Sequence, residues 1–194
     1  MTRIQRAFAA LKTSGDKGLV TFITAGDPDL ATTAKLVPAI AEAGADIVEL
    51  GIPFSDPLAD GVAIQAASSR ALAKGATVAG LLDCVREIRA TCDVPIVLMT
   101  CFNPILQFDP EPFAVQARDA GVDGMLISDL PPGESDDWLR IAHGSGLDTI
   151  FLVAPTSPPE RIQEVCRRST GFVYCISRTG VTGAREDLPA DLAD

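Results

Sequence analysis

From Leu19 onward the chain alternates short apolar runs, rich in β-branched residues, with longer stretches of helical periodicity. The apolar runs cover residues 20–24, 46–50, 96–101, 125–129, 149–154 and 172–177 and predict six strands. Most are apolar throughout instead of alternating with polar positions, as expected for parallel strands covered on both faces. The intervening segment 30–43 puts Leu30, Ala34, Val37 and Ala41 on one helical face and ends at Gly44, a residue type that closes helices. Comparable helical segments are predicted at 80–90, 111–120, 134–142 and 159–168. Residues 1–12 place Ile4, Phe8 and Leu11 on one face between charged positions, which predicts an amphipathic helix rather than a signal peptide or anchor.

Repeating βα units build either a doubly wound open sheet or a (β/α)8 barrel. A dinucleotide-binding fold would carry G-x-G-x-x-G after its first strand, whereas this chain has Ala25-Gly26-Asp27-Pro28, a turn. The barrel is therefore the expected fold. The interval between the second and third strands is about twice the others. Extra length at the C-terminal end of a barrel strand is where active-site loops accumulate.

A length of 194 residues with 47% hydrophobic content predicts a single domain over residues 1–194 with one well-buried core. Lys and Arg total 16 against 26 Asp and Glu, a net charge of −10 that disfavours nucleic acid and acidic membrane surfaces. No apolar run is long enough to span a bilayer, so a cytoplasmic protein is expected. The five cysteines, Cys84, Cys92, Cys101, Cys166 and Cys175, are odd in number and show neither C-x-x-C nor Cys/His ligand spacing. Neither a zinc site nor a disulfide framework is expected. The only histidine, His143, falls between a helix and a strand and reads as a bystander. Acid–base chemistry therefore falls to carboxylates.

The second strand, Ile47-Val48-Glu49-Leu50, carries a carboxylate among apolar residues. Such a group loses hydration and must be paired, neutral or employed in catalysis. Glu49 is either an acid/base or a strand-end glutamate satisfied by an arginine or backbone donors. In the following loop, residues 51–61, Pro53 and Pro57 restrict the backbone and hold Asp56 and Asp60 in place. These acids either face solvent as turn residues or direct one carboxylate inward.

Residues 49–61, ELGIPFSDPLADG, resemble the signature loop of the tryptophan synthase alpha-subunit family. The likeness extends in order through 22–28 (FITAGDP), Ile64-Gln65, Arg70-Ala71-Leu72, Asn103-Pro104, Asp129-Leu130-Pro131 and 177–183 (SRTGVTG). It implies a (β/α)8 barrel that performs retro-aldol cleavage of indole-3-glycerol phosphate to indole and glyceraldehyde 3-phosphate, with no cofactor in this subunit. By that resemblance Glu49 shuttles protons and Asp60 accepts a hydrogen bond from the indole N–H. Phe22, Met99 and Leu126 provide an apolar setting, and Tyr174 lines the substrate site. Thr182 touches the loop aspartate and Gly183 offers its N–H to phosphate. The implied partner is a β subunit carrying pyridoxal phosphate, in an αββα complex with Pro53 and Asp56 near the interface.

Two positions depart mildly from the family pattern, since Cys101 stands where members often carry an aromatic residue and Ile4 where some carry tyrosine. Residues 188–194 resemble the first turn of the sixth barrel helix. The family continues through strands seven and eight, whose loops bind most of the substrate phosphate. The expectation is an incomplete barrel of about six strands, with open edges, weak phosphate binding and low turnover. Two rivals are a non-catalytic module that binds the β subunit and another phosphate-binding barrel lyase. A Schiff-base aldolase would need a buried strand lysine, yet Lys12, Lys17, Lys35 and Lys74 fall in helices or loops. A metal-assisted aldolase would gather Glu49, Asp56 and Asp60 around a divalent ion.

Overall fold

A computed structural model describes residues 1–56 and 60–177. Its strands are β1 (Val20–Thr24), β2 (Ile47–Gly51), β3 (Ile96–Thr100), β4 (Gly124–Ile127), β5 (Asp148–Val153) and β6 (Val173–Cys175). They form one parallel sheet in the order β1-β2-β3-β4-β5-β6. Sequential order with no reversal is barrel winding, whereas a doubly wound sheet reverses direction at a switch point. Among the described residues β1 pairs only with β2 and β6 only with β5, so the barrel is incomplete over this span.

Side chains alternate between two packing environments. Outward residues Val48, Leu50, Ile96, Leu98, Met125 and Ile127 join a large core with the surrounding helices. These include α2 (Leu30–Glu42), α4 (Val78–Arg89), α6 (Pro110–Ala120) and α7 (Asp136–Ser145). Inward residues Ile47, Val97, Leu126 and Ile150 form a second cluster inside the sheet's curvature. The fully apolar strand pattern follows directly, because both faces are covered.

The bottom of this interior is closed by α1 (Arg3–Ser14). Ile4 is fully buried within the inner cluster. Gly124 makes room for it, since a Cβ there would stand 3.1 Å from Ile4 Cδ1. The other two predicted face residues are shallower: Leu11 is half-buried and Phe8 is exposed, its ring 5.7 Å from that of Phe172. Arg3 fixes the helix by donating from Nη1 to Asp123 at 3.1 Å. The same carboxylate accepts from Arg89 Nη2 at 2.7 Å and from the Ile96 amide at 2.9 Å.

Two helices have no counterpart in the sequence reading. Helix α3 (Val62–Ala73) buries only Ala67, Ser68 and Ala71, all small, so it presents no large apolar stripe. Helix α5 (Phe102–Phe108) is seven residues long, too short to establish a period. Together with the loop after β2, α3 accounts for the extra length of the interval before β3, which also holds α4. Of the remaining helices, α4 starts two residues earlier than expected because Thr77 caps it, accepting from the Gly80 amide at 3.1 Å. The last, α8 (Pro159–Arg168), has the predicted bounds. None of the described helices is long and apolar enough to cross a membrane.

Candidate active site

Inward side chains at the C-terminal ends of the strands surround a cavity of about 140 Å³. Phe22 comes from β1, Glu49 and Gly51 from β2, Met99 from β3 and Tyr174 from β6. Phe22 and Glu49 are direct register partners. The loop after β2 contributes Ile52, Phe54 and Asp60, and α3 contributes Ile64 and Ser68. Beyond the strand ends, Cys101 and Ser128 complete the wall, their Sγ and Oγ atoms 3.9 Å apart.

Period-two geometry explains this assembly. Residues two apart share a face, so Glu49 and Gly51, Met99 and Cys101, and Leu126 and Ser128 follow one another inward. The glycine admits the ring at this distance, because a Cβ at Gly51 would stand 2.6 Å from Cζ of Phe22 and the ring would have to shift. The aromatic ring thus lies against bare backbone.

Glu49 is only 3% exposed, and its Oε1 has no hydrogen-bond partner among the described residues. Among the described residues neither an arginine nor a backbone donor meets that oxygen, although a purely structural strand-end glutamate would need one. Desolvation pushes the carboxyl from its ordinary value of 4.5 up to about 7. Burial also raises Asp60 above the usual aspartate value. The Tyr174 hydroxyl is raised first by burial and then by the negative charge of Glu49. The arrangement can hold a flat apolar ring against two carboxylates that retain protons more readily than they would in water.

Of the residues singled out from sequence, Glu49, Asp60, Phe22, Met99 and Tyr174 meet in this cavity. Leu126 is fully buried in the inner cluster and does not line the cavity; its inward neighbour Ser128 does. Pro53 is buried in the loop, while Asp56 is exposed and accepts from Ser55 Oγ at 2.6 Å. Thr182 and Gly183 lie outside the described residues. His143 lies away from the cavity, its Nε2 3.3 Å from Thr149 Oγ1. No group of three or more His, Cys, Asp or Glu residues suited to holding a metal occurs among the described residues. Ser128, Ile64, Ser68 and Phe54 were not identified as site residues from sequence. Strand parity counted from Leu126 would have found Ser128, whereas the contribution of α3 has no comparable signal.

Comparison with known proteins bears on this geometry. The family model for the tryptophan synthase alpha chain matches residues 8–194. The tryptophan synthase alpha chain of Geobacter sulfurreducens is 56% identical over 193 residues, covering 100% of this chain and 73% of its own length. Among solved structures, the tryptophan synthase alpha subunit of Legionella pneumophila superposes with a TM-score of 0.88 at 41% identity, covering 91% of this chain and 68% of that one. A structure of the tryptophan synthase a2b2 complex from Pyrococcus furiosus matches with a TM-score of 0.78 at 42% identity, covering 81% of this chain and 65% of that one. The family match, the sequence identity and the superposition agree, and the chain belongs to the tryptophan synthase alpha chain family.

Proposed function

We propose that this chain cleaves indole-3-glycerol phosphate by a retro-aldol reaction, with Glu49 as the acid/base and Asp60 as the acceptor of the indole N–H. The reaction is that of the family to which the chain belongs. The observation that carries the residue assignment is the buried Glu49 carboxyl, whose Oε1 has no hydrogen-bond partner among the described residues, sharing a largely apolar cavity with Asp60. Cleavage requires a proton on indole C3 and removal of the proton from the adjacent glycerol hydroxyl. A carboxyl poised near neutrality exchanges protons with both atoms at low cost. Protonation at C3 places positive charge on the ring nitrogen, which an ionised Asp60 at the N–H stabilises. Phe22, Met99 and Tyr174 hold the ring and exclude water.

The partner in this reading is the tryptophan synthase β subunit, which supplies pyridoxal phosphate chemistry on its own chain; this subunit acts without a cofactor. Support comes from the Pyrococcus furiosus a2b2 complex among the structural neighbours. Pro53 and Asp56, on the loop that leads to Asp60, are the proposed contacts. Quantifying products after incubation with indole-3-glycerol phosphate and β subunit tests the reaction. Indole and glyceraldehyde 3-phosphate in equal amounts are expected, and indole no faster than in enzyme-free controls would contradict it.

A further inference from the structure

We propose that Gln65, a surface residue of α3, is the positioning residue for Asp60 and thereby sets the site's preference for a ring bearing an N–H donor. This rests on the assignment of Asp60 as acceptor of that N–H.

Asp60 immediately precedes Gly61, the N-cap of α3. A carboxylate at the end of a loop is aimed only as well as its backbone is fixed. Gln65 holds two successive carbonyls there: its side-chain Nε2 donates to Asp60 O at 2.8 Å, and its backbone N donates to Gly61 O at 3.0 Å. The side-chain donor holds the carbonyl of the peptide joining Asp60 to Gly61 and the backbone donor holds the carbonyl of the next peptide, so the two bonds bracket Gly61 and restrain the direction in which the chain leaves Asp60. Among the described residues, the side-chain bond from Gln65 is the hydrogen bond that reaches Asp60.

The helix carrying Gln65 is itself anchored. Arg70 donates from Nε to Asp27 Oδ1 at 2.8 Å and from Nη2 to Asp27 Oδ2 at 2.7 Å, a two-point bond to the turn after β1. At the same turn, a Cβ on Gly26 would stand 2.9 Å from Cβ of Ala76 and 3.3 Å from Cβ of Ala71, so α3 packs directly on backbone. Strand β1 carries Phe22, and α3 carries Ile64 and Ser68, all of which line the cavity. Asp60 is thereby referenced to the same frame as the ring-binding wall. Gln65 is exposed, so replacing it opens no core. Hydrogen bonds weaken steeply with misalignment, and misplacement of a reacting group by about 1 Å costs roughly a hundredfold.

The test compares the affinities of indole and 1-methylindole, which lacks the N–H, by ligand-observed NMR. The proteins are the unsubstituted chain, Gln65→Met, Asp60→Ala and the double variant. The unsubstituted chain should prefer indole by about tenfold, the order expected for one hydrogen bond to a charged group. Gln65→Met should remove most of that preference by weakening indole alone, and the double variant should match Asp60→Ala. A preference retained in Gln65→Met but lost in Asp60→Ala would overturn the role of Gln65 alone. Equal weakening of both ligands by Gln65→Met, or additive losses in the double variant, would overturn it as well. A preference absent from the unsubstituted chain, or surviving Asp60→Ala, would instead remove the assignment of Asp60 on which the proposal stands.

Discussion

The ring of Phe22 lies against the backbone of Gly51, where an added Cβ would meet Cζ at 2.6 Å and Cε2 at 2.9 Å. The two residues sit on adjacent strands, and Gly51 lies one inward step beyond Glu49. A methyl group at Gly51 must therefore displace the ring that forms one wall of the cavity. Gly51→Ala is expected to cost about 1–3 kcal/mol by overpacking and to weaken indole binding. Urea unfolding and an indole titration check this; an unchanged midpoint with unchanged affinity would show that the ring relaxes freely.

The raised carboxyl of Glu49 links stability to pH. Between its ordinary value of 4.5 and its folded value of about 7, the unfolded chain releases a proton that the folded chain keeps. Stability should therefore fall as pH rises through that window and level off above it, with a contribution of at most on the order of 3 kcal/mol. Glu49→Gln should abolish this contribution and be the more stable protein at pH 8. Urea midpoints of both proteins across pH 5 to about 8 measure it. Parallel curves for the two would contradict a desolvated Glu49.

Asp123 accepts from Arg3, Arg89 and the Ile96 amide, while Arg89 also donates from Nε to Gly121 O and from Nη1 to Cys92 O and Val94 O. Both members of the Arg89–Asp123 pair are nearly buried. Removing one partner leaves the other charge without compensation, so Asp123→Ala is expected to destabilise the chain by about 3–5 kcal/mol. The exposed Asp83–Arg86 pair provides the contrast, with Asp83→Ala expected to change stability by less than about 1 kcal/mol. Equal effects in thermal or urea unfolding would contradict the assignment of the buried network as the fastening of α1.

Asp56 is exposed on the loop that leads to Asp60 and is absent from the cavity lining. Asp56→Ala is therefore expected to weaken β-subunit binding and mutual activation by roughly tenfold while leaving indole affinity unchanged, since rim charges act mainly on association. Titration calorimetry with the β subunit, alongside an indole titration, separates the two effects. A loss of indole affinity with intact β-subunit binding would reverse the assignment.

Much of the fold was legible in the chain because parallel strands covered on both faces leave unbroken apolar runs. All six predicted strands correspond to observed ones, with ends shifted by at most two residues. Glu49 stood out because a carboxylate in such a run violates the pattern. Helix α3 was invisible since its buried face consists of Ala67, Ser68 and Ala71, which carry no amphipathic signal. Leu126 was placed in the substrate site from resemblance, whereas the cavity stops one inward step short of it, at Ser128. That distinction depends on how far the ring pocket descends between the strands, a property of packing across the sheet rather than of any one segment.

Glu49 carries the proposed proton transfers, and single-turnover indole release from indole-3-glycerol phosphate, with the β subunit saturating, tests that role most directly. Glu49→Gln preserves the size of the side chain and removes its ability to exchange protons. The rate is expected to fall by at least about a thousandfold while substrate affinity changes by less than about threefold, the signature of a group acting in the transition state. Release within tenfold of the unsubstituted chain would contradict the assignment of Glu49 as the acid/base.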